Sequence, residues 1–149
     1  MTLKNDIQNS LTAAMKARDE DTKRTLRLLI TAIRFAEVEE GIELDDQRVL
    51  NILQKEVKTR VDTIQEAQSA NRQDLVDSAK REMAILNKFL PKQMDHSELI
   101  LLAQQVIQEL GASSLRDLGD VMKSLLAKLE GRASGQEASK VVRDLLQEK

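Results

Sequence analysis

A single proline, Pro91, stands in a chain of 149 residues whose apolar side chains recur every three or four positions. Proline removes a backbone donor and restricts the residue before it, so it is the strongest interruption a helix meets. Three- and four-residue recurrence puts apolar groups on one face of a helix. With one such interruption and only five glycines, the chain is left with long helices and short turns. Two phenylalanines and no tyrosine or tryptophan argue against sheet, because strands favour aromatic and β-branched residues. The expected fold is all-α, with a core of Leu, Ile, Val, Ala and Met.

Reading along the chain gives about seven helices. Asp6 to Lys16 carries Ile7, Leu11, Ala14 and Met15 at helical spacing. Asp19 or Asp21 caps a second helix through Leu26, Leu29, Ile33 and Ala36, which stops at Gly41. Asp45 and Asp46 start a longer helix with Leu50, Leu53, Val57, Val61 and Ile64 as its stripe. A break at Ala70 and Asn71 leads to Val76, Ala79, Met83, Leu86 and Leu90, a helix that Pro91 is expected to end. Beyond it, Asp95 and Glu98 have capping-box spacing, and their helix runs to Gly111. Ser114 and Ser134 cap the last two helices. The Pro91–Met94 stretch marks a boundary between an N-terminal helical subdomain, 1–91, and a smaller C-terminal subdomain of three short helices, 92–149.

Composition excludes much chemistry. The chain has no cysteine, and therefore no disulfide, thiolate nucleophile or thiolate metal site. Its one histidine, His96, reads as a solvated residue in the first turn of a helix, and one histidine cannot build a multi-histidine metal site. No phosphate loop, dinucleotide fingerprint or nucleophile elbow occurs. The adjacent Ser113 and Ser114 read as the start of a helix after a glycine stop. No catalytic residue, metal or cofactor is expected. The N-terminus lacks the apolar run of a signal peptide, no segment is long and apolar enough to span a membrane, and the expected location is the cytoplasm.

What remains is basic, although the formal net charge is −2. Lys55, Lys58 and Arg60 cluster on the long helix, and Arg72, Lys80 and Arg81 follow on the next. Near the end of the chain Lys123, Lys128, Arg132, Lys140 and Arg143 surround two glycine-marked segments. A glycine within a helix is disfavoured by about 1 kcal/mol against alanine, so Gly119 is expected to mark a close approach, of another helix in the preferred reading and of a ligand in the alternative. Gly131 to Gly135 reads as a tight turn, with Ser134 as the cap of the helix that follows. The N–H groups at that helix start would favour a phosphate, and Arg132 could hold one with two hydrogen bonds. Lys123, Lys128, Arg132 and Lys140 are the candidate nucleic-acid contacts. With so few aromatic side chains, any such contact would use backbone charge and shape.

Several segments, in order and spacing, resemble the YqeY-like proteins. They are Lys55-Glu56-Val57-Lys58-Thr59-Arg60-Val61-Asp62, Ala70-Asn71-Arg72-Gln73-Asp74-Leu75 and Glu82-Met83-Ala84-Ile85-Leu86. Phe89-Leu90-Pro91-Lys92-Gln93, Gly111-Ala112-Ser113-Ser114, Gly119-Asp120-Val121-Met122 and Gly131-Arg132-Ala133-Ser134-Gly135 follow. The C-terminal region of that family is similar to the tail domain of the B subunit of the tRNA-dependent Asp/Glu amidotransferase (the GatB/YqeY domain). The resemblance implies a two-part helical protein that contacts tRNA, or an amidotransferase or aminoacyl-tRNA synthetase assembly. It also implies a link to carbon–nitrogen ligase activity with glutamine as amido donor, for which this chain supplies no glutaminase nucleophile or nucleotide loop. A helical protein-interaction scaffold is the further alternative. Two positions depart from the family: Glu130 stands where a basic residue often precedes the glycine, and Ser134 where aspartate is common.

Overall fold

Side-chain caps set the helix boundaries in the computed structural model, which describes residues 2–148. The chain divides into two compact units, 1–90 and 91–149. Among the described residues there are seven α-helices, one 3₁₀ turn and no strand.

The N-terminal unit holds α1 (Leu3–Ala17), α2 (Glu20–Glu40), α3 (Asp46–Ser69) and α4 (Gln73–Asn87). Asp19 caps α2 by accepting from the Thr22 N–H, and Gly41 ends it with φ 67°. Asp45 caps α3 by accepting from Arg48. At α1 the cap is Thr2, which accepts from the Asn5 N–H, so the helix begins three residues before the Asp6 start read from the sequence. The turn into α4 places Asn71 at φ 56°, a left-handed conformation that asparagine tolerates better than most residues. Ile7, Leu26, Leu29, Ile33, Val49, Leu53 and Leu86 form the buried centre of this unit.

Two expectations for this unit change. The helix before Pro91 ends at Asn87, and Phe89 and Leu90 donate to the carbonyls of Leu86 and Asn87 in three-residue turns. The ladder therefore tightens and stops before the proline is reached. On α3 the buried line is Val49, Leu53, Arg60 and Ala67, while Val61 is exposed. Arg60 occupies a core position that an apolar pattern cannot reveal. It pairs with Glu56 at 2.5 Å and with Glu82 of α4 at 3.5 Å, which keeps its charge compensated inside. Arg60 is thus a bridge between α3 and α4.

The C-terminal unit holds α5 (His96–Leu110), a 3₁₀ turn (Leu115–Asp117), α6 (Leu118–Leu129) and α7 (Gly135–Gln147). The three α-helices pack pairwise on one another around Leu99, Ala103, Val106, Val121, Leu125, Leu129, Ala138, Val142 and Leu146. Each such side chain contributes roughly 1.5–3 kcal/mol by leaving water, apart from the smaller alanines. Asp95 caps α5 by accepting from the Glu98 N–H at 2.8 Å. The Glu98 carboxylate, expected to reach back to the cap, instead pairs with Arg132 at 3.2 Å. A full capping box forms one helix later, where Ser114 and Asp117 serve each other's ends of the 3₁₀ turn.

Candidate nucleic-acid interface

The turn between α6 and α7 is built from two consecutive left-handed residues, Glu130 at φ 50° and Gly131 at φ 79°. Glycine enters that region without steric penalty, whereas glutamate is strained there. The turn is closed by the Arg132 N–H donating to the Leu129 carbonyl at 2.9 Å. Ser134 then caps α7 through the Glu137 N–H at 3.1 Å. That bond occupies one of the helix-start donors, and Glu137 puts a carboxylate in the first turn. Both features disfavour a phosphate at this end of the helix.

Arg132 stitches the turn to the start of the unit. Its Nε donates to the Lys92 carbonyl at 3.0 Å and its guanidinium pairs with Glu98. Its own carbonyl accepts from the Met94 N–H at 2.8 Å, and the Gln93 amide donates to the Gly131 carbonyl at 3.2 Å. The 91–94 stretch is thereby fastened to the Gly131–Arg132 turn. Nearby, the amide of Glu98 and the hydroxyl of Ser97 donate to Asp95, and these bonds hold its carboxyl below the ordinary aspartate range.

The remaining cations divide by partner. Lys128 pairs with Glu109 of α5 at 2.8 Å. Lys123, Lys140 and Arg143 are exposed and form no ion pair among the described residues. Lys140 and Arg143 are three residues apart on α7 and share its outer face. Lys123 borders an open groove of about 500 Å³ with Leu110, Ala112, Asp117, Asp120, Val121, Ser124 and Ala127. The structure therefore does not gather the four sequence-predicted cations into one free cluster. Two are engaged in holding the unit together, and two, with Arg143, face solvent.

Gly119 lies in the first turn of α6, exposed, and a Cβ added there would meet nothing within 4 Å. The close helix approach expected at this residue is absent; the glycine leaves bare backbone on the surface. Gly135, by contrast, would bring a Cβ to 3.8 Å from Leu126, an ordinary packing distance. The residue that sequence reading missed as a fastener is Glu98, whose spacing from Asp95 suggested a purely local role.

In the N-terminal unit three of the basic residues singled out from the sequence have acidic partners or are buried. Arg60 is buried, Arg72 forms a two-bond pair with Asp74 at 3.1 and 3.0 Å, and Arg81 lies 3.4 Å from Asp21. The Arg72 guanidinium holds the Asp74 carboxyl below its usual range. Lys55 and Lys80 remain exposed. His96 is exposed at the start of α5. Among the described residues, no three His, Asp or Glu side chains converge as metal ligands, and no helix is long and apolar enough to cross a membrane.

Comparison with known proteins extends across both units. The chain matches the family described as Yqey-like protein over residues 4–146. An uncharacterized protein of Schizosaccharomyces pombe is 30% identical over 86 residues, covering 58% of this chain and 70% of that protein. The protein named Altered inheritance of mitochondria protein 41, mitochondrial, from Lachancea thermotolerans is 31% identical over 86 residues, which span 57% of this chain but only 46% of the relative. The protein of the same name from Pyrenophora tritici-repentis is 24% identical over 148 residues, covering 94% of this chain and 78% of the relative. With a family match running through all seven helices, from α1 into α7, the chain belongs to the Yqey-like protein family.

Proposed function

We propose that this chain is a non-catalytic helical binding module that contacts tRNA or a tRNA-charging assembly in the cytoplasm, with the C-terminal unit carrying the contact. The observation behind the reading is that three cations on the last two helices are exposed and form no ion pair among the described residues: Lys123 on α6, and Lys140 with Arg143 on α7. The bare backbone at Gly119, one helical turn from Lys123, leaves room for a sugar–phosphate chain to lie close. The resemblance read from the sequence, through the family's C-terminal region to the amidotransferase tail, favours tRNA over other polyanions in this reading. Lys128 and Arg132 belong to the scaffold in this reading, because each already holds an acidic partner.

Three cations predict a shallow salt dependence. For about three phosphates neutralised, log affinity should fall against log salt with a slope of about −2 to −3. Retention of mixed tRNA on the immobilised full chain, followed across a salt series, tests this. Retention at low salt that fades with that slope supports the proposal, and absence of retention at the lowest salt overturns it. A link to glutamine-dependent amide transfer, which the family resemblance implies, has its own test. The chain added to amidotransferase subunits should alter the transamidation rate, and an unchanged rate would remove that alternative.

A further inference from the structure

The core-facing side of α2 is set by Leu26, Leu29 and Ile33, all almost fully buried. The opposite side of the same helix is also apolar. Leu28, Thr31, Phe35 and Val38 follow one another at spacings of three, four and three residues, and all are exposed. Phe35 is 64% and Val38 81% exposed, and Ile42, just beyond the Gly41 cap, is 49% exposed. The Thr31 hydroxyl is turned back to the Arg27 carbonyl at 2.9 Å, so its hydrogen bonding is satisfied without solvent. A helix that is apolar on two opposite sides has a second surface to cover. The three–four–three spacing is that of the a and d positions in a two-stranded coiled coil.

Charge placement identifies the occupant. With Leu28 and Phe35 at a and Thr31 and Val38 at d, Arg34 falls at g and Glu39 at e. In a parallel pair, g of one helix faces e of the next heptad of the other, which sets Arg34 against Glu39 twice by symmetry. An antiparallel pair would set g against g and bring arginines together. Both residues are exposed, and neither forms an ion pair among the described residues; Arg34 only helps to lower the carboxyl of nearby Glu37. We infer that the outer seam of α2 is a self-association surface, on which a second copy of this chain docks in parallel with Phe35 against Phe35 and Val38 against Val38. Two heptads make a seam at the small end of protein interfaces, below about 1,200 Å², the size of weak and transient contacts.

Sedimentation of the full chain over a wide concentration range reads the association. Weak, reversible dimers are expected, with Val38→Glu raising the midpoint concentration at least about tenfold. Arg34→Glu and Glu39→Arg should each weaken association alone and restore it when the two variants are mixed, because each partner then meets the opposite charge. The chain has no cysteine, so a single Val38→Cys reports orientation directly. Oxidation should give a disulfide-linked pair of that variant. Circular dichroism verifies that these surface variants remain helical. A chain that stays monomeric throughout overturns the inference. So does cross-linking of Leu28→Cys to Val38→Cys in preference to Val38→Cys with itself, which would place the helices antiparallel.

Discussion

The two units reach stability by different means. The C-terminal unit encloses an all-apolar centre, with Leu99, Val106, Val121, Leu125 and Leu146 drawn from its three α-helices. Its polar links, Arg132 to Glu98 and Lys128 to Glu109, lie at the surface. The N-terminal unit admits polar groups to its interior. Arg60 is buried between α3 and α4 with two carboxylates, and the Thr25 hydroxyl is buried without a hydrogen-bond partner among the described residues. It also leaves apolar side chains outside, along α2. The C-terminal unit presents Lys123, Lys140 and Arg143 over an all-apolar core, and the N-terminal unit presents the α2 seam over a core that contains charge. A phosphate ligand suits the first surface and a second helix the second.

This contrast can be broken by substitution. The largest effect is expected in the apolar core: Leu125→Ala should lower stability by about 3–4 kcal/mol, read as a shift in the urea midpoint. In the N-terminal unit Arg60→Ala should cost about 2–3 kcal/mol, because Glu56 and Glu82 would lose their cation. Replacing all three with apolar residues of similar size should recover most of that loss. If Arg60→Ala alone is neutral, the buried bridge is not a structural element and the contrast fails.

Smaller effects sharpen it. Thr25→Val removes an unpaired buried hydroxyl at nearly constant shape, so a gain of about 1 kcal/mol is expected. Ser134→Ala should lose about 1 kcal/mol through the cap of α7. Chemical denaturation of both variants checks these signs.

A pH series probes the smallest term. Lys4 donates to Glu37 at 2.7 Å and to Glu43 at 3.2 Å, and the Leu44 N–H donates to Glu37 at 2.9 Å. The bond from Lys4, then that from Leu44, holds the Glu37 carboxyl below its usual range, and the same pairing, led by Glu37, raises the Lys4 ammonium. A depressed carboxyl contributes stability that is present above its unfolded pKa and lost as pH falls through the folded value. A raised ammonium contributes stability that is present below its unfolded pKa and lost as pH rises through the folded value. Glu37→Gln should therefore be less stable than the parent at neutral pH. The difference should shrink toward both the acid and the alkaline ends. A difference independent of pH would remove the pair from the account.

Local chemistry was readable in the amino-acid sequence. The caps at Asp19, Asp45, Asp95, Ser114 and Ser134 each join residues only two or three positions apart, so spacing alone announces them. What escaped was non-local. Arg132 and Glu98 are 34 residues apart and Lys128 and Glu109 are 19 apart; a long flexible side chain carries no mark of which distant carboxylate it will meet. Arg60 resembles a surface cation for the same reason, since its burial depends on Glu82 of another helix. Gly119 misled in the opposite direction: its helical cost suggested packing, yet a side chain there would meet nothing within 4 Å.

The central claim is that cations without an acidic partner, and not those engaged in the scaffold, meet a phosphate backbone. Salt slopes of tRNA binding for Lys123→Gln and Lys128→Gln, measured side by side on the full chain, test it most directly. The account predicts a slope shallower by about 0.7–0.9 for Lys123→Gln and unchanged for Lys128→Gln. Equal slopes for both variants and the parent, or a loss confined to Lys128→Gln, would contradict it.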